Sequence, residues 1–189
     1  MKRKVYILLT DTGTMFTRMI RLYTKKPLNH ASIALDDRLQ EVYSFGRKKP
    51  RNPFIGGFVR ENLQNRLFEN AKCAIYCCYM TDQQHQEMNR KIREMEEQKQ
   101  NYRYNLLGLL AVMVNIELER KNAYFCSQFV ASILVESGVD LGNNKPLSLV
   151  TPNDIQESPK LELVYEGNLS NYIGRRETSY QNHLKIKAV

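Results

Sequence analysis

The stretch YFCSQFVASILVESG, residues 124–138, constrains the fold more than any other. Cys126, Phe129, Val130, Ile133 and Leu134 recur at i, i+3, i+4, i+7 and i+8, one apolar helix face that demands burial. A cysteine at the head of such a face has two readings. It is the first core residue of the helix, or it is a nucleophile activated by the positive end of the helix and a nearby protonated histidine.

The rest of the chain alternates strand-like and helix-like runs. Residues 3–10 read as a buried strand, and 14–26 as an amphipathic helix capped at Thr12 or Thr14 and ended by Pro27. NHASIAL (29–35) and LQEVYSFG (39–46) read as a hairpin around Asp36, Asp37 and Arg38. Residues 47–62, rich in Pro, Gly and charge, read as a long loop. A strand over 72–80 precedes a charged helix over 84–100, whose core face is Met88, Ile92 and Met95. A more buried helix is predicted within 101–117, and a last strand over 161–165. There is no repeat and no linker, so residues 1–173 read as one domain and 174–189 as a basic tail.

Composition narrows the function classes. The chain has 189 residues and a net charge of +8, but its 28 Lys and Arg are scattered and no nucleic-acid motif accompanies them. No specific nucleic-acid partner is expected. The longest apolar run, LLGLLAVMV at 106–114, is about half of a membrane span. MKRKVYILLTDTG lacks the long apolar region of a secretory signal, so a cytoplasmic location and reduced cysteines are expected. Cys73, Cys77 and Cys78 lie within one strand-like run without a second ligand pair, which points to core packing and not to a metal. Neither a metal nor a cofactor is expected.

Of the three histidines, only His30 sits on a patterned strand. Alternation puts His30, Ser32 and Ala34 on one face and Ala31, Ile33 and Leu35 on the other. A two-residue turn would set Tyr43 and Glu41 beside this histidine face; a three-residue turn would offer Gln40 and Ser44. A carboxylate there would fix the imidazole tautomer and stabilise its protonated form.

The ordered set LYTKKPLNHASIAL, EVYSFG, YN at 104–105, YFCSQFV and TPNDI resembles the circularly permuted branch of the NlpC-type, papain-like cysteine peptidases. The resemblance runs from about residue 4 to about residue 172. It implies an α+β fold, an antiparallel sheet packed against helices, with the nucleophile at the start of a central helix. It makes Cys126 the nucleophile and His30 the general base, with Glu41, or alternatively Tyr43, orienting the ring. Tyr104, Tyr43 and Gly57 would line the substrate cleft, and the Cys126 N–H would contribute to an oxyanion hole. Asn105 and Gln128 depart from the family pattern, which often has Asp and Glu there. The implied activity is an amidase or peptidase acting through an acyl-enzyme on a peptide-like substrate. An acyltransferase of the lecithin:retinol-acyltransferase-like type, with an acylated small molecule as substrate, and a non-catalytic binding module are the alternatives.

Overall fold

The computed structural model describes residues 2–11, 26–49 and 52–187. The helix expected over 14–26 lies almost wholly outside them. The eight described strands are β1 (Lys2–Asp11), β2 (His30–Ala34), β3 (Val42–Lys49), β4 (Asn52–Arg60), β5 (Lys72–Thr81), β6 (Arg103–Tyr104), β7 (Ala123–Tyr124) and β8 (Leu161–Asn168). The described α-helices are α1 (Asp82–Glu97), α2 (Leu106–Met113), α3 (Cys126–Glu136), α4 (Pro152–Gln156) and α5 (Leu169–Lys187). Six strands form one antiparallel sheet in the order β4-β3-β2-β1-β5-β8, and β6 and β7 form a short parallel pair. The molecule is therefore α+β, an antiparallel sheet packed against helices.

Both faces of the sheet are covered. One face carries Val5, Ile7, Leu9, Ile33, Tyr43, Phe45 and Phe58, packed with Met88, Ile92 and Met95 of α1 and Phe129, Val130, Ile133 and Leu134 of α3. The other carries Tyr6, Leu8, Val42, Cys73, Ile75 and Cys77 against Phe68 and against Leu169 and Tyr172 of α5. A strand buried on both sides needs no alternation, which is why β1 and β5 read as continuous apolar runs. The three cysteines of β5 are buried free thiols, as their composition suggested.

The helices start and stop on local chemistry. Thr81 and Gln84 form a reciprocal capping box at the start of α1, and Thr151 and Asp154 do the same for α4. Gly138 ends α3 with φ 82°, and the Val139 N–H returns to the Leu134 carbonyl at 2.9 Å. Gln84 Nε2 donates to the Gly138 carbonyl at 2.6 Å, tying the start of α1 to the end of α3.

Three expectations are corrected. Residues 52–60 are not loop: they pair with β3, Phe45 opposite Phe58 and Tyr43 opposite Arg60. Pro53 falls within β4, the edge strand of the sheet, where proline is best tolerated. The turn between β2 and β3 is also longer than a tight hairpin. Asp36 caps it, its carboxylate accepting from the N–H groups of Arg38, Gln40 and Glu41, while Leu39 takes φ 57°. Ile33 consequently faces Tyr43, and Ala34 faces Val42. Finally, α2 is not a buried helix; Leu107 is 55% exposed and Leu110 43%. The expected tail boundary at 174 falls inside α5, where Arg176 pairs with Asp37.

Candidate active site

His30 opens β2. Its place is fixed by the β1 ladder, which sets Thr10 opposite it, and by the Asn29 N–H bonded to the Thr10 carbonyl at 3.1 Å. Glu61 follows β4 directly, and its N–H continues the ladder to the Val42 carbonyl at 2.8 Å. Period-2 alternation carries Val59 and Glu61 to the face that also holds Ser44, Ser32 and His30.

There the carboxylate collects three partners. Glu61 Oε1 lies 2.6 Å from His30 Nε2 and accepts from Ser44 Oγ at 2.6 Å, while Oε2 accepts from Ser32 Oγ at 2.9 Å. A carboxylate held from three sides cannot swing, so the imidazole bonded to it is oriented as well.

Cys126 is brought toward this end of β2 by α3. It is the first residue of α3, after Phe125 in extended conformation. Ser127 Oγ donates to the Val150 carbonyl at 2.8 Å and anchors this end of the helix. The His30 ring and the N–H groups of Ala31 and Ser127 are near enough to Cys126 to lower its pKa. Sγ also lies 3.9 Å from the Asn29 carbonyl oxygen. With Nε2 engaged by Glu61, Nδ1 is the ring nitrogen left for the thiol.

The electrostatics favour a charged triad. Burial pushes His30 toward its neutral form, but the adjacent Glu61 charge and the bonds to Cys126 and Glu61 outweigh it and raise the pKa to about 10. Burial likewise raises the Cys126 thiol, yet the His30 bond and charge and the two backbone N–H groups bring it below the ordinary cysteine value. For Glu61, burial opposes ionisation, and the His30 charge with the His30, Ser44 and Ser32 hydrogen bonds lowers the pKa despite it. These directions favour thiolate, imidazolium and carboxylate over the neutral forms of the three groups. Scans of the chain against protein-family models, curated proteins and solved structures found no match.

The remaining sequence candidates lie elsewhere. Glu41 does not reach His30: the long turn shifts the register, and its carboxylate binds Arg93 Nη2 at 2.9 Å. Tyr43 lies on the opposite sheet face, its hydroxyl accepting from Arg93 Nη1 at 2.7 Å and its ring stacked on Phe58. Ser44, offered by the wider-turn register, is the residue that joins the site. Gly57 lines no cleft; it is buried where a Cβ would meet the Tyr102 carbonyl oxygen at 2.5 Å. A Cβ on the neighbouring Gly56 would meet the Tyr104 side chain, so the two glycines let β6 lie flat on β4. Tyr104 pairs with Tyr124, two residues before the nucleophile candidate.

Asn105 is a structural brace. Its side chain caps α2 by accepting from the Gly108 N–H at 3.0 Å, and donates to the Leu118 carbonyl at 3.2 Å. Gln128 is buried on α3, and among the described residues its Oε1 has no hydrogen-bond partner. A carboxylate there would be an unpaired buried charge, a physical reason for the amide. Among the described residues no His, Cys, Asp and Glu group is arranged to hold a metal. Glu61 was missed because Pro53, Gly56 and Gly57 disguise β4; the signal was Phe58-Val59-Arg60-Glu61, whose alternation assigns the acid to the Val59 face.

Proposed function

We propose that the protein is a cysteine hydrolase with a permuted papain-like arrangement, cleaving an amide in a peptide-like substrate. The observation that carries this reading is His30 bonded to Glu61 at 2.6 Å, with the Cys126 sulfur at the carbonyl of the adjoining Asn29 and within electrostatic reach of the ring. The order of the parts along the chain, histidine strand first and cysteine helix late, is the permuted one.

In this mechanism the Cys126 thiolate attacks the substrate carbonyl carbon. The negative oxygen is received by the N–H of Cys126 at the uncapped start of α3, where helix-end donors are free to turn toward an anion. The C–N bond breaks and the His30 proton goes to the leaving amine, which leaves a thioester on Cys126. His30, now neutral at Nδ1, takes a proton from water. The hydroxide attacks the thioester, the thiolate departs and the acid is released. Glu61 is a positioning residue: it holds the ring and stabilises its charge through both steps.

The test is thiol reactivity followed by product analysis. An iodoacetamide probe labels Cys126 at roughly pH 7, where an ordinary thiol is largely protonated, and His30→Ala slows that labelling at least about tenfold. Under amide or activated-ester substrates, mass spectrometry finds the acyl group on Cys126, and free acid accumulates. Equal labelling of the wild type and His30→Ala would overturn the hydrolase in favour of a binding module. Acyl transfer to an added amine or alcohol in place of water would favour the acyltransferase.

A further inference from the structure

We propose that α2 and the turn after it form a docking element for the surface of an anionic lipid bilayer. This element stands apart from the chemistry assigned to Cys126. From Tyr104 to Ile116 the chain carries no charged residue. Leu107 is 55% exposed, Leu110 43%, Val114 65% and Ile116 57%, an unusual concentration of bare apolar side chains in one short segment.

The segment is built to hold that display. Asn105 caps the first turn of α2 and reaches across to the Leu118 carbonyl, stapling the two ends of the protrusion together. At the far end Asn115 takes φ 56°. The Ile116 N–H returns to the Ala111 carbonyl at 2.9 Å and the Asn115 N–H to the Val112 carbonyl at 3.1 Å, a helix stop with its backbone satisfied. The apolar side chains therefore stand on a closed, hydrogen-bonded knob.

Basic residues cluster at its base. The Arg103 N–H bonds the Asn122 carbonyl, and Arg120 bridges to Ala123, which pairs with Arg103, so Arg103, Arg120 and Lys121 adjoin. Lys48 Nζ reaches the Lys99 carbonyl beside them at 3.2 Å. All five cations are exposed and make no ion pair among the described residues. Glu97, Glu117 and Glu119 share the neighbourhood, leaving five cations less three carboxylates, or +2, within a chain of net +8.

An apolar segment beside a cationic cluster matches a surface that is anionic outside and hydrocarbon beneath. Eight helical residues extend only about 12 Å, far short of the hydrocarbon thickness, so the element lies in the interface. No helix among the described residues is long and apolar enough to cross a membrane. Because Tyr104 and Asn105 lead from the Tyr124 pairing into α2, such a surface would lie near the Cys126 helix start.

The experiment is sedimentation of the full chain with vesicles of phosphatidylcholine plus phosphatidylglycerol, and with phosphatidylcholine alone. The wild type pellets with the anionic vesicles, and the Leu107→Glu/Leu110→Glu double variant loses this at least about tenfold with its melting temperature preserved. Arg103→Glu/Lys121→Glu abolishes the preference for anionic over neutral vesicles. Undiminished vesicle binding by the leucine double variant overturns the proposal. So does a wild-type dimer that the variant splits without any vesicle binding, which makes a second copy the occupant. A collapse of the variant's melting temperature also overturns it, since the face is then covered by the chain itself. The readout is lipid partition, and Cys126→Ser binds vesicles like the wild type, so failure here and failure of the hydrolase reading are distinguishable.

Discussion

Two opposing effects meet at His30, and the carboxylate decides between them. Burial alone would keep the ring neutral; Glu61 at 2.6 Å makes it a cation. Glu61→Gln removes that charge while keeping the shape, so the ring loses its proton at lower pH and the Cys126 thiolate loses its counter-ion. Alkylation of Cys126 near neutral pH then slows by roughly tenfold or more, whereas Glu41→Gln, bound to Arg93, leaves the rate unchanged. The same pair shapes stability against pH. The Glu61 contribution is present above the unfolded value of 4.5 and lost as pH falls through its depressed folded value. The His30 contribution is complete below 6.5 and lost as pH rises through about 10. Cys126 runs the other way: its thiol is lowered from 9.0, so its contribution grows with pH up to that unfolded value and offsets the His30 loss between 6.5 and 9.0. A wild-type melting profile is therefore highest across neutral pH and declines above 9.0, toward 10, and Glu61→Gln flattens it. Cys126 and His30 were legible in the sequence because a helix-head cysteine and a lone patterned histidine stand out locally. Glu61 was not, because its role depends on a register that a capped seven-residue turn sets.

Among the elements, β4 shows how edge position overrides local composition. Pro and Gly lower strand propensity, yet an outer strand tolerates both, and here Gly56 and Gly57 serve the close approach of β6. Gly57→Ala pushes a methyl group against the Tyr102 carbonyl, and the expected loss is about 1–3 kcal/mol in chemical denaturation. The Asn105 cap makes a parallel case. A Cβ at Gly108 would collide with the Asn105 amide, so Gly108→Ala is destabilising even though alanine is the better helix former. The expected effect is a loss of about 1 kcal/mol or more, read as a lower melting temperature. The long periodic elements α1 and α3 were readable from spacing alone, with Met88, Ile92 and Met95 all buried. The exposure of α2 was not: an apolar run states what a segment prefers and not what stands beside it.

Across the whole molecule, the two-sided burial of the sheet sorts the four thiols. Burial first, with the Glu166 charge, pushes Cys73 up to about 12, and burial raises Cys78 to about 11 and Cys77 in the same direction. Native protein should therefore take up one equivalent of alkylating agent, on Cys126, and the other three only in denaturant; peptide mapping by mass spectrometry checks this. The fold class was legible because strand and helix patterns alternate, but the sheet order required pairings between distant segments that no local pattern encodes. Those pairings have a further meaning during synthesis. Asn29 and Cys126 meet across 97 positions, so the histidine strand leaves the ribosome long before the sulfur it must charge. Until α3 docks, the nascent polypeptide holds only an inert mercaptan, and the onset of nucleophilicity doubles as a timestamp for completed assembly.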